Sequence, residues 1–261
     1  MIKTILYYIN YVWRVIATGF CFSLFSIGGL FLGAALIPLV LLFVRDKTMK
    51  KTVAQHIISL SFRLFVLLLS CTGLMSFRYR YLEKLKNDRG CLIIANHPTL
   101  IDYVLLVSKM KHCDTIVKEK LWHNFFLKYI IQSAGYIPNV HPEKTLKQIE
   151  ASLASGNNLL IFPEGTRTTP GEAIQLKRGA AHIALRKKCP IRVVTITCIP
   201  STLTRQTMWF QIPKTKPEFT LTVGDKIDIE KHFYDTMTPS LAARELTRYF
   251  KNIFEIGLKY E

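Results

Sequence analysis

Acidic residues are scarce in this chain of 261 residues: 18 Asp and Glu stand against 35 Lys and Arg, a formal net charge of +17. A surface so poor in negative charge attracts polyanions, either nucleic acid or an anionic lipid surface. Metal-type spacing is missing too. The six cysteines (Cys21, Cys71, Cys91, Cys113, Cys189, Cys198) include no CxxC pair, and the histidines include no HExxH, so no metal site is expected. Several of these cysteines lie inside apolar runs, where a thiol behaves as a small hydrophobe in a reducing compartment. No serine or cysteine stands in a nucleophile-elbow pattern; Ser108 and Cys113 carry no motif. Internal repeats and low-complexity linkers are also missing.

The most telling absence is charge between Arg14 and Arg45. A transmembrane helix needs about 20 apolar residues, so the segment at about 15–44 is long enough to span. It is too long for a simple signal peptide and lacks a small-residue cleavage site. Gly28, Gly29, Gly33 and Pro38 interrupt it, which fits either a kinked span or a re-entrant hairpin. A second stretch, about 53–77, ends in the apolar run Leu64–Phe77. It reads as an amphipathic helix in one leaflet or as a buried core helix. Positive charge is denser after the first segment (Arg45, Lys47, Lys50, Lys51) than before it (Lys3, Arg14). The positive-inside tendency then puts the rest of the chain on the cytoplasmic face. Nucleic acid is not an expected partner, because no reading motif accompanies the charge and the N-terminus is apolar.

From Cys91 onward short aliphatic runs alternate with helical patterns. The expected strands are Cys91–Ala95, Asp114–Val117, Gly135–Pro138, Asn158–Phe162 and Arg192–Ile199. The expected helices are Thr99–Lys109, Lys120–Ser133, Pro142–Ala154 and Leu176–Lys187. Such alternation predicts an α/β fold with a mostly parallel central sheet flanked by helices, preceded by an N-terminal membrane-embedded helical segment. Thr207–Ile212 and Glu218–Val223 read as an antiparallel pair around a Pro-rich turn. Pro239 suits the first turn of a last helix. The division expected is a membrane-associated helical region at 1–80 and an α/β domain at 81–261.

Two polar clusters follow expected strands. In the first, Asn96-His97-Pro98-Thr99-Leu100-Ile101-Asp102, the proline favours a turn that lets Asp102 reach back to one ring nitrogen of His97. That contact fixes a tautomer and leaves the other nitrogen free as a base. Asp102 is also suited to interact with a helix dipole. The second cluster, Phe162-Pro163-Glu164-Gly165-Thr166-Arg167, supplies a guanidinium that can grip an anion and a glycine that admits a ligand to the backbone. A Glu164–Arg167 ion pair closing the turn is the plainer alternative. Lys177-Arg178-Gly179 adds a basic turn that also suits solvated surface. In open parallel sheets ligands gather beyond the carboxyl ends of strands, where both clusters fall. A His–Asp pair without a protein nucleophile suits direct attack by a substrate hydroxyl.

Asn96-His97-(four residues)-Asp102 together with Phe162–Arg167 resembles the glycerolipid acyltransferase family typified by 1-acylglycerol-3-phosphate acyltransferase. Lys177-Arg178-Gly179-Ala180 and the strand ending at Ile199-Pro200 are similar to later blocks of that family, so the resemblance covers roughly residues 90–201. It implies that His97 is the general base and Asp102 its orienting partner. It further implies that Asn96, Lys118, Glu164, Gly165, Thr166 and Arg167 shape the substrate site, with Arg167 facing a phosphate. The implied donor is acyl-CoA or acyl carrier protein, with no other cofactor. The implied acceptor is the hydroxyl of a membrane lyso-lipid, 1-acylglycerol-3-phosphate or a related lipid. The family's second phosphate-binding arginine is missing from the matching block Gly135–His141, and Lys118 stands near as a possible substitute. A catalytically inactive lipid-binding protein on the same fold is the alternative function.

Overall fold

The computed structural model describes residues 2–259 apart from 125, 126, 170 and 230–236. The first helix, α1 (Ile2–Phe31), passes through a π-helical turn at Leu32–Leu36 into α2 (Ile37–Leu42). The widened turn has a local cause. Pro38 has no N–H to give to the preceding turn, and its ring crowds the carbonyl four residues back. The Ile37 N–H instead reaches five residues back to the Leu32 carbonyl. The charge-free segment is thus one continuous helical rod with a π-helical turn. At Asp46, whose side chain accepts from Met49 N–H at 2.8 Å, the chain turns into α3 (Lys47–Cys71). Phe25 of α1 packs on Phe62 and Phe65 of α3, with ring centroids 5.9 and 4.4 Å apart.

Residues 4–42 and Lys47–Cys71 are each long and apolar enough to cross a membrane. They are used differently. Ile5, Ile9, Ile16, Phe20, Leu24 and Ile27 of α1 remain open to the surroundings, whereas Ala54, Ile58, Phe65 and Leu69 of α3 are buried in the core. Leu60, Leu64 and Leu67 on the other side of α3 are exposed. The helix is apolar on both sides, and one of them packs into the core. It ends at Cys71, and Ser76–Phe77 open strand β1 (Ser76–Arg80) instead. The boundary expected at residue 80 therefore falls one strand late.

Next come α4 (Glu83–Lys86), β2 (Leu92–Ala95), α5 (Asp102–Val107), β3 (Asp114–Lys118), α6 (Glu119–Trp122) and α7 (Lys128–Ser133). They are followed by β4 (Ile137–Asn139), α8 (Pro142–Ala154), β5 (Leu159–Ile161), α9 (Gly179–Lys187), β6 (Ile191–Ile199), β7 (Glu218–Ile227) and α10 (Pro239–Lys259). The expected helix Lys120–Ser133 is two short helices, with residues 125 and 126 outside the described set.

The strands form one sheet in the order β1-β7-β6-β2-β5-β3-β4. From β6 through β4 every neighbouring pair is parallel. Strand β7 runs antiparallel to β6 and parallel to β1. Thr207–Ile212, expected as the antiparallel partner of Glu218–Val223, is loop, and β6 takes its place. Ile93 and Ala95 of β2 face the core built with α3 and α5, while Leu92 and Ile94 face α9 and α10. A strand buried on both faces needs an unbroken apolar run, which is why β2 shows no alternation. On the second face α10 lies so close to β6 that a Cβ at Gly257 would stand 2.7 Å from Thr195 Oγ1.

Two buried polar clusters brace this frame at the edge away from the β2 and β5 exits. Asp88 accepts from Arg192 Nε at 2.8 Å and Nη2 at 2.6 Å, and from Lys226 Nζ at 2.9 Å. Asp114, at the start of β3, accepts from Gln55 Nε2 at 2.7 Å and from Lys51 and Ser152. Since Lys51 and Gln55 belong to α3, the membrane-type helix is fastened to the α/β core by buried hydrogen bonds.

Candidate active site

Adjacent parallel strands deliver their loops to one edge of the sheet, so the register of β2 with β5 decides the site. His97 follows the end of β2 and Glu164 the end of β5. The His97 backbone N–H donates to Glu164 Oε1 at 2.7 Å, and the Thr168 N–H donates to the His97 carbonyl at 2.9 Å. Phe162 stacks on the imidazole, centroids 4.3 Å apart and planes 26° from parallel. The two motifs thus clamp one histidine by backbone on both sides and by a ring face.

Asp102 opens α5 and is fully buried. Its Oδ2 stands 2.8 Å from His97 Nδ1 and accepts from Thr99 N–H at 2.6 Å. Its Oδ1 accepts from Thr99 Oγ1. A carboxylate surrounded only by donors assigns the proton of His97 to Nδ1, leaving the lone pair on Nε2. Burial pushes the Asp102 carboxyl up, opposed by the His97 ring and by both Thr99 donors. The His97 side chain keeps 20% of its surface exposed, so a substrate can reach it.

Asn96 is an anchor. Its Nδ2 donates to the Ile196 carbonyl at 2.8 Å and its Oδ1 accepts from Ile196 N–H at 2.7 Å. With both amide ends spent on β6 and the residue buried, it is not open to substrate. Gly165 and Thr166 are exposed at the turn. Gly165 sits at φ +71, and a Cβ there would come within 2.9 Å of Lys177 Nζ. The Lys177 N–H also donates to the Pro163 carbonyl at 2.8 Å. The basic turn weighed as mere surface therefore leans on the motif. Glu164 and Arg167 do not pair; Arg167 Nη1 donates to the carbonyls of Leu203 and Thr204 at 3.1 and 2.9 Å. Lys118, exposed at the end of β3, lies two strands from β2, about 10 Å across the sheet. It is in register with Asn139 of β4, beside the block without an arginine. All the residues expected at the site thus line one sheet edge, but Lys118 makes no hydrogen bond to His97 or to the 164–167 turn.

Residues 76–198 match a family model described as Acyltransferase. A 1-acyl-sn-glycerol-3-phosphate acyltransferase of Cocos nucifera is 31% identical over 122 residues, 44% of this chain and 39% of that protein. Over this stretch the chain is similar to acyltransferases of the 1-acylglycerol-3-phosphate type. A lyso-ornithine lipid O-acyltransferase of Brucella abortus is 29% identical over 122 residues, 44% of this chain and 45% of its own. The chain spans about half the length of the curated relatives it matches. The fold is that of the crystallised 1-acyl-sn-glycerophosphate acyltransferase PlsC from Thermotoga maritima, with a TM-score of 0.71 at 17% identity over 97% of each chain.

Three contributors at the site were not among the expected site residues. Phe162 holds the ring plane, Thr99 saturates Asp102, and the one Leu203 carbonyl accepts from Arg167 Nη1 at 3.1 Å and from Leu100 N–H at 2.9 Å. Thr99 lies three residues before an acid at a helix start, a capping-box spacing that could have marked it.

Glu164 carries a testable consequence. Burial, helped by the nearby Asp102 charge, raises its carboxyl to about 7, against the pull of the His97 N–H. A folded-state value above the unfolded one gives stability that is complete below the unfolded value of 4.5 and is lost as pH rises through 7. Glu164→Gln should remove this slope, worth at most ~3 kcal/mol between its two ends. Thermal unfolding of both proteins from pH 4.5 to 8 checks it; identical slopes would refute the assignment.

Proposed function

We propose that this protein is a membrane-bound O-acyltransferase that moves a fatty acyl group from a thioester donor to the hydroxyl of a lyso-lipid. The carrying observation is the His97–Asp102 pair, with Nδ1 committed to a buried carboxylate and Nε2 left to meet a substrate. Nε2 takes the acceptor's hydroxyl proton as the oxygen attacks the thioester carbonyl. The resulting intermediate expels the donor's thiolate, which recovers the proton from Nε2. The products are an ester and a free thiol, and no acyl-enzyme or cofactor enters the step.

The donor is acyl-CoA or acyl carrier protein. The acceptor is 1-acylglycerol-3-phosphate or a related lyso-lipid. Arg167, Lys177 and Lys118 supply positive charge along the site edge for an anionic headgroup, although Arg167 spends one guanidinium nitrogen on Leu203 and Thr204. The exposed apolar face of α1 brings the catalytic edge to lipid, with the α/β domain on the cytoplasmic side by the charge asymmetry around the first segment.

The test is purified protein incubated with a panel of lyso-lipids and both classes of donor, with products identified by mass spectrometry. An acylated lyso-lipid from one donor class is the expected result. No product from any pair would overturn the proposal and favour an inactive lipid-binding protein.

A further inference from the structure

The loop from Leu203 to Pro217 contains no acidic residue and three exposed cations, Arg205, Lys214 and Lys216. None of the three has an ion-pair partner among the described residues. At its tip Met208, Trp209 and Phe210 are 60%, 48% and 46% exposed. These side chains are held out by a built turn: Gln211 N–H donates to the Met208 carbonyl at 3.0 Å, and Met208 N–H donates to Gln211 Oε1 at 2.8 Å. The Trp209 and Phe210 rings meet edge to face, centroids 5.5 Å apart. An ordered turn that shows three large apolar side chains to the outside, ringed by unpaired cations, does not serve the core.

Its position supplies the meaning. Arg14 of α1, itself buried, donates to the carbonyls of Pro213 and Thr215 at 3.0 and 3.2 Å. A Cβ at Gly19 of α1 would stand 3.3 Å from the Trp209 ring. The apolar tip is therefore continuous with the exposed apolar face of α1, which also presents Ile16 and Phe20. At its other end the loop supplies the Leu203 and Thr204 carbonyls that hold Arg167.

We infer that the loop 203–217 is a second membrane contact, in which Met208, Trp209 and Phe210 insert at an anionic lipid interface while Arg205, Lys214 and Lys216 meet headgroup phosphates. The inference rests on the reading that α1 faces lipid. Aromatic side chains favour the interfacial zone, and cations near an anionic surface are each attracted to it. Two contacts, α1 and the loop, fix the tilt of the domain where one helix alone would leave it free to swivel. Because the loop holds Arg167, that tilt sets the catalytic edge against the bilayer.

The test uses single-tryptophan proteins in phosphatidylcholine–phosphatidylglycerol nanodiscs. One keeps Trp209 (Trp13→Phe, Trp122→Phe) and the other keeps Trp13 on α1 (Trp122→Phe, Trp209→Phe). Lipids brominated near the glycerol end of the acyl chain should quench both. In the Trp209 protein, Arg205→Gln with Lys214→Gln and Lys216→Gln should weaken quenching in the anionic discs and leave it unchanged in pure phosphatidylcholine. Quenching of Trp13 without Trp209 would overturn the loop contact and leave the α1 reading standing; loss of both would overturn the two together. Shielding of Trp209 by a second copy, seen as a dimer by mass photometry, would likewise refute the lipid assignment.

Discussion

Replacing His97 with Ala is expected to lower the rate of acyl transfer by about 10²–10⁴-fold, the range for removal of a positioned general base. The loss should fall on kcat, with the KM for lyso-lipid little changed, because Nε2 acts on the hydroxyl only as the proton moves. The fold should survive the change. His97 is held through its own N–H and carbonyl, by Glu164 and Thr168, and an alanine keeps both contacts. What is lost is the Phe162 stacking and one of the donors to Asp102, which retains both Thr99 contacts. Initial rates by product mass spectrometry, beside circular dichroism and a melting curve, separate chemistry from folding. His97→Gln serves as a second variant, since its amide can still donate toward Asp102 but cannot act as a base. Activity of either folded variant within tenfold of the parent would remove His97 from the proposed role.

The residues that made this site legible are those whose chemistry is local in sequence. His97 and Asp102 lie five apart around a proline turn, so their meeting is decided by one loop and the first turn of one helix. The same holds for α8, whose Pro142 start and Ala154 end agree with the sequence reading, and for the strand β2. Features set by distant partners were not legible. Strand β1 was absorbed into an apolar run, because the backbone partner that makes Ser76–Arg80 a strand is β7, some 140 residues away in the chain. Thr207–Ile212 alternates as a strand should, yet β6 had already claimed the antiparallel edge of β7. Asn96 looked like a site residue and became an anchor because Ile196 stands opposite it on β6. Arg14 looked like the charged flank of a span and instead fastens α1 to the loop at 213–215. The motif Phe162–Arg167 follows β5 as its apolar run suggests, but Glu164 and Arg167 do not pair within it. Glu164 was drawn to a backbone N–H of the neighbouring loop and Arg167 to carbonyls 36 and 37 residues on.

Asp102→Ala is expected to approach His97→Ala in its loss of rate, while Asp102→Asn should stand well between that variant and the parent. The difference comes from Thr99. Its N–H points at the Oδ2 position that also receives His97 Nδ1. An asparagine that turned its NH₂ there would set donor against donor in a fully buried pocket, so its carbonyl is forced to that side. The amide nitrogen then faces Thr99 Oγ1, which can rotate its hydroxyl and accept. His97 Nδ1 still finds an acceptor, the tautomer is kept and Nε2 remains a base. What Asp102→Asn removes is the negative charge that stabilises the protonated ring during transfer. A hydrogen bond to a charged group exceeds a neutral one by about 1–2 kcal/mol, or roughly 5–30-fold in rate. Alanine removes the acceptor altogether, frees the ring to change tautomer and leaves the Thr99 N–H unpaired in the interior. Its rate should therefore fall by about 10³-fold or more, with a lower melting temperature than the asparagine variant. Equal losses from the two substitutions would mean that Thr99 does not direct the side chain at 102, and the tautomer would need another guardian.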